Sequence, residues 1–231
     1  MGNGVIGIQW IIFIGVALVS WLVQMNLQRK FKKYSKIATG NGMTGRDVAL
    51  KMLHDNGIYD VQVTHVRGQL TDHYNPVNKT VNLSEGVYES NSVMAAAVAA
   101  HECGHAVQHA RMYAPLKMRS ALVPVVNFAS SIMAWVLLAG IMLVNTFPQL
   151  LLAGIVLFAT TTLFSFITLP VEINASKRAL VWLNSSGITN SFNHSQAEDA
   201  LRSAAYTYVV AALGSLATLF YYILIFMGRR D

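Results

Sequence analysis

Three stretches of this chain carry no Asp, Glu, Lys or Arg: residues 1–28, 120–171 and 203–228. A helix crosses a bilayer with about 20 predominantly apolar residues, because it satisfies its own backbone groups where no water can. The first and last stretches each hold one such helix. The middle one holds two, joined by a short turn. The expected spans are about 5–26, 122–144, 150–169 and 206–227. The composition agrees, with 54% hydrophobic and 12% charged residues, the latter about half the usual share.

A formal net charge of +6 could signal nucleic acid, but its placement argues for topology. Arg29, Lys30, Lys32, Lys33, Lys36, Arg111, Lys117, Arg119, Lys177, Arg178 and Arg202 fall on one side of the expected spans. Arg229 and Arg230 fall on the other. The positive-inside rule makes the richer side cytoplasmic, in keeping with a plasma-membrane protein that has no nucleic-acid partner. The run Arg29–Lys36 can also meet anionic headgroups of the bilayer. The lone cysteine, Cys103, excludes an internal disulfide framework and reads as a small buried filler. The first span has basic residues after it rather than before, so it reads as a retained helix and not a cleaved signal.

The resulting division is a first transmembrane helix (1–28), a cytoplasmic part (29–119), a transmembrane hairpin (120–169), further cytoplasmic helices (170–205) and a last span with its tail (206–231). In the first cytoplasmic part, Thr44 caps a short helix with apolar Val48, Ala49, Met52 and Leu53, which Gly57 ends. Two strands are expected, 61–66 and 80–83. An edge strand of this small sheet could hold an extended peptide by main-chain hydrogen bonds. A new helix is expected from Pro170, and another capped by Ser195, with Glu198 and Asp199 in its first turn.

The chemistry lies in His101-Glu102-Cys103-Gly104-His105. Ser92 caps the helix that carries it, and Val93–Ala100 run on without a charge, so the helix should be buried. Histidines four residues apart share a helix face and can grip one Zn²⁺, and Glu102 beside them can take a proton from metal-bound water. A metal also satisfies polar groups that would otherwise be costly to bury. His109, one turn on, is a weaker choice of third ligand, because a catalytic site keeps a position open for water. Between Arg119 and Ser195 the only acid is Glu172. The hairpin of spans returns it to the membrane face of His101 and His105. A His2Glu set follows, although a Glu opening a helix is also favourable as a cap.

With these residues in view, the chain resembles the membrane-embedded zinc metallopeptidases of the YugP-like group, relatives of the HtpX and Ste24 type proteases in the wider gluzincin sense. The resemblance runs through Asp72–Pro76, Lys79–Ser84, Val98–Ala106 and Leu169–Ser176. It implies an α-helical integral membrane protein with four transmembrane helices and a small α+β zincin-like cytoplasmic metalloprotease domain. It also implies one Zn²⁺ per chain on His101, His105 and Glu172, with Glu102 as general base. In the HtpX-like pattern an Asp follows the ligand Glu by four residues. Here that position is Ser176, which leaves Asn174, Ser176 and Arg178 as candidate partners of the metal histidines.

The activity expected is zinc-dependent endopeptidase cleavage of a polypeptide, a membrane protein included. Candidate oxyanion donors are His73, Tyr74, His109 and Arg178. Two rivals are a zinc hydrolase of a non-peptide membrane substrate and a catalytically silent zinc-containing adaptor. A transporter is disfavoured, because the spans carry no ionisable acid or base. Oligomeric state is not legible in the sequence.

Overall fold

The computed structural model describes the backbone of residues 2–228 and side chains from residue 10 onward. Arg229 and Arg230 lie outside the described residues. The order is α1 (Gly2–Tyr34), α2 (Gly45–Asp55), β1 (Gln62–Val66), β2 (His73–Asn75), β3 (Thr80–Ser84), α3 (Glu85–Tyr88), α4 (Val93–Ala110), α5 (Ala114–Met142), α6 (Pro148–Ser185) and α7 (His194–Gly228). Among the described residues four helices are long and apolar enough to cross a membrane: Trp10–Tyr34, α5, α6 and α7.

Each of these helices is longer than its expected span, although α5 ends at Met142, just short of the expected 144, and α6 corrects the sequence reading most. No new helix begins at Pro170, which lies inside α6. A proline removes one backbone donor and crowds the preceding turn, at about 3 kcal/mol in an isolated helix. Here packing overrides that cost. Val171, Ala175, Ala179 and Leu183 recur every fourth residue and are all fully buried, so the helix is held firmly just past the proline. Likewise α7 starts at His194, one residue before Ser195 could cap it. The Asn193 carbonyl accepts from Gln196 and Ala197. Asp199 also has a tertiary role, accepting from Lys30 at 2.7 Å and from the Tyr34 hydroxyl at 2.6 Å.

The chain divides into two compact units. One holds α1 up to Val23, Met118–Leu169 and α7 from Thr207. Within it, Leu137, Leu151 and Ile155 form a buried cluster. A Cβ on Gly140 would meet the Leu151 backbone at 2.6 Å, so the two arms of the hairpin touch main chain to main chain.

The other unit holds Gln24–Lys117 and Pro170–Tyr206. Its core is built from α2, the sheet, α3 and α4, with Ala179 and Leu183 of α6 and Ala197 and Leu201 of α7. Thr44 and Asp47 form a reciprocal capping box at the start of α2, whose Val48, Ala49, Met52 and Leu53 are buried. The sheet has the order β1-β3-β2. β1 runs parallel to β3, and β2 antiparallel. Val81 and Leu83 of β3 alternate into the core. β2 is a third strand, absent from the sequence expectation. It is three residues long, too short for alternation to declare, and pairing defines it. Asp72 pins its start by accepting from the Ser84 N–H (2.7 Å) and hydroxyl (3.0 Å).

Candidate metal centre

α4 is an alanine-rich helix sealed by protein on nearly every side. Ser92 caps it, accepting from the Ala95 N–H at 3.2 Å. The Ile37 carbonyl accepts from the Val93 N–H at 2.7 Å and ties the helix start to the segment after α1. Small side chains let neighbours come close, and the tightest approach is inside the motif. A Cβ on Gly104 would lie 2.6 Å from the Ala175 carbonyl oxygen and 3.1 Å from its Cα. Gly104 therefore brings the α6 backbone onto α4. Ala175 lies between Glu172 and Ser176, so this contact delivers both side chains to the histidines.

His101, His105 and Glu172 converge. Glu172 Oε2 lies 3.3 Å from His101 Nε2 and 3.5 Å from His105 Nε2. All three ligand atoms lie within 4.8 Å of one another. The imidazole planes are nearly perpendicular, at 85°. Glu172 and His105 are buried, and His101 nearly so. Donors about 2.0–2.1 Å from a tetrahedral zinc stand roughly 3.3–3.5 Å apart. The two nitrogen-to-oxygen distances match that edge. Lone pairs converging in a buried place repel unless protons or a cation lie between them, so the donor set fits zinc.

Local charge agrees. Burial disfavours the His105 imidazolium. Glu172, Glu102 and the Gln108 amide more than offset this and hold the imidazole above the usual histidine range. Burial likewise opposes ionisation of Glu172, three residues past the apolar run that ends at Leu169. The hydrogen bonds and charges of the two histidines prevail and keep its carboxyl below the usual range.

Glu102 is buried beside this cluster. Its Oε2 accepts from the Tyr74 backbone N–H of edge strand β2, at 3.0 Å. The Tyr74 hydroxyl in turn is 2.8 Å from His109 Nδ1. His101 Nδ1 is 3.0 Å from Ser176 Oγ. Asn174 and Arg178 reach His105 through an intermediary that the sequence reading omitted, Gln108. Arg178 Nε donates to Asn174 Oδ1 at 2.7 Å. Gln108 Nε2 donates to Asn174 Oδ1 (3.0 Å) and to the Val171 carbonyl (2.8 Å). Gln108 Oε1 lies 3.1 Å from His105 Nδ1. The available signal was its position three residues after His105 on the same helix face.

His73 stays apart, exposed, with its Nδ1 2.8 Å from the Thr71 carbonyl. Among the described residues Cys103 does not join the candidate metal-binding cluster. It is buried, 3.5 Å from the Ala49 carbonyl of α2, and burial pushes its thiol well up.

Two helices that aim a His-His-Glu donor set at one point, with a buried carboxylate alongside, have the make-up of a catalytic zinc centre. Residues 9–227 match the family described as "Putative neutral zinc metallopeptidase", and the chain belongs to that family. It is 43% identical over 222 residues to the "Putative membrane protease YugP" of Bacillus subtilis (strain 168), covering 95% of this chain and 98% of that relative. No solved structure matches it. Family and relative together support a membrane zinc metalloprotease.

Proposed function

We propose that this protein is a gluzincin-like zinc endopeptidase of the plasma membrane, working at the cytoplasmic face with one Zn²⁺ per chain. The observation that carries the reading is the buried Glu172 oxygen set 3.3 and 3.5 Å from the two motif imidazoles. His101 Nε2, His105 Nε2 and Glu172 Oε2 would hold the ion. When bound, zinc supplies a Lewis acid that acidifies water and polarises the scissile carbonyl.

The remaining work falls to side chains. The Glu102 carboxylate takes the proton of the attacking water and returns it to the leaving amine. The Tyr74 N–H holds that carboxylate in place. Of the oxyanion candidates, Tyr74 and His109 are best placed, because they join each other and the strand that touches Glu102. Burial raises the Tyr74 phenol above its ordinary value, so it stays protonated and able to donate. Arg178 is engaged with Asn174 and serves His105 instead. Edge strand β2, whose Tyr74 N–H reaches Glu102, suits an extended polypeptide, and the four apolar helices suit a membrane-protein substrate.

The test is elemental analysis of purified wild type and Glu172→Ala, scored with cleavage of a casein-type substrate. About one zinc per chain in wild type, lost with activity in the variant, is the expected result. Zinc and activity both retained in Glu172→Ala would remove Glu172 from the ligand set.

A further inference from the structure

Gln108 is fully buried one turn beyond His105, and its two amide ends can be told apart by chemistry that begins at Arg178. A guanidinium only donates. The Asn174 atom 2.7 Å from Arg178 Nε must therefore be the oxygen. That same oxygen faces the Gln108 amide at 3.0 Å, so the Gln108 atom there must be the nitrogen. The Val171 carbonyl, 2.8 Å from that nitrogen, demands the same answer independently. The far end of Gln108 is then an oxygen, and it faces His105 Nδ1 at 3.1 Å. An amide oxygen only accepts, so Nδ1 must carry the hydrogen.

We infer that Gln108 is a positioning residue that locks a hydrogen on His105 Nδ1, so that Nε2, beside the Glu172 carboxylate, is the nitrogen left to bind zinc. The inference rests on the zinc reading above. His101 is held differently. Its Nδ1 faces the Ser176 hydroxyl, which can donate or accept and so imposes no tautomer. The relay from Arg178 through Asn174 and Gln108 thus makes His105 the pre-organised ligand of the pair. It also explains two polar residues of α6, Asn174 and Arg178, that touch no ligand atom of the site.

The experiment measures zinc affinity by chelator competition at one fixed pH for full-length wild type, Gln108→Met and Gln108→Glu. Alongside, ¹⁵N NMR of histidine-labelled, zinc-loaded wild type reads the His105 tautomer. Partners of metal histidines typically contribute about 10–100-fold in affinity. Gln108→Met keeps the length and loses the amide acceptor, so it should bind zinc about 10–100-fold more weakly. Gln108→Glu keeps an acceptor and should recover part of that loss. In wild type the hydrogen should sit on Nδ1. Zinc affinity in Gln108→Met within about twofold of wild type overturns the inference. Equal losses in the two variants assign the effect to packing and also overturn it. A hydrogen on Nε2 of His105 does the same, and this spectrum decides the matter even where a variant fails to fold. Wild type that takes up no zinc overturns the metal centre and the inference with it. Zinc-loaded wild type indifferent to Gln108 overturns the inference alone.

Discussion

α4 and α5 are both apolar helices, yet they meet their surroundings in opposite ways. In α4, Val93–Ala97, Ala99, Ala100 and Glu102–Gln108 are all buried within protein. In α5 only Ala129, Leu137 and Gly140 are buried, while Phe128 and Trp135 are 65% and 74% exposed. The difference is side-chain size. Alanine and glycine let α2 and α6 close around α4, whereas α5 presents large groups outward, as a lipid-facing helix does. A helix enclosed by protein can carry ionisable side chains because its neighbours supply partners. A helix facing hydrocarbon cannot do so cheaply. Apolar character marks both helices; what packs against each decides which one holds chemistry.

The largest expected effect belongs to the enclosed helix. Glu102→Gln should lower kcat by about 10²–10⁴-fold, the usual worth of a general base, with zinc content unchanged by elemental analysis. Normal turnover by that variant would remove Glu102 as the base. Next, Leu183→Ala opens a cavity in the fully buried stripe of α6. It should cost about 2–5 kcal/mol in chemical denaturation. Trp135→Ala on the exposed face of α5 should stay within about 0.5 kcal/mol. Similar losses in the two would erase the contrast between the enclosed and outward faces.

Glycines give the sharper form of the comparison. Gly104→Ala and Gly140→Ala each drive a Cβ to 2.6 Å from the backbone of a facing helix, and overpacking of this kind costs about 1–3 kcal/mol. Only Gly104→Ala pushes away the segment that carries Glu172. Both variants should melt lower, but zinc affinity should fall in Gly104→Ala alone. Zinc loss in Gly140→Ala as well would mean that the hairpin controls the site.

A smaller effect concerns pH. The groups around His105 raise its pKa above the usual histidine value, and a zinc ion bound at its Nε2 would have to displace that proton. Apparent zinc affinity should therefore rise with pH until that proton is gone. Below that point it should fall by about tenfold per pH unit for the one proton displaced, starting at a higher pH than for an ordinary histidine. Competition titrations across pH read the slope, and a flat profile would show that His105 carries no proton in the free site. Smallest is Thr44→Ala, which removes the capping box of α2 and should cost about 1 kcal/mol without touching zinc binding.

Much of this was legible beforehand for identifiable reasons. Charge-free runs longer than a bilayer is thick declare long apolar helices. Thr44 with Asp47, and Ser92 before an apolar run, declare helix starts, because caps act within one turn of the chain. His101 and His105 share a face by helix geometry alone. β2 was not legible, since a three-residue strand exists only through its pairing with β3. Nor was the passage of α6 through Pro170, where long-range burial of Val171, Ala175, Ala179 and Leu183 outweighs a local rule.

By itself, then, the sequence determined what repeats at helical spacing or lies within a turn: the long apolar helices, the caps, and two imidazoles on one face with a carboxylate beside them. It also singled out Glu172, the lone acid across a long stretch of chain. The tertiary structure alone decided how the third donor meets the first two. That meeting depends on Gly104 admitting the α6 backbone to contact distance of α4, and on Arg178, Asn174 and Gln108 orienting His105 from behind. These are distances between segments far apart in the chain, set by packing and hydrogen-bond direction, which no local pattern encodes.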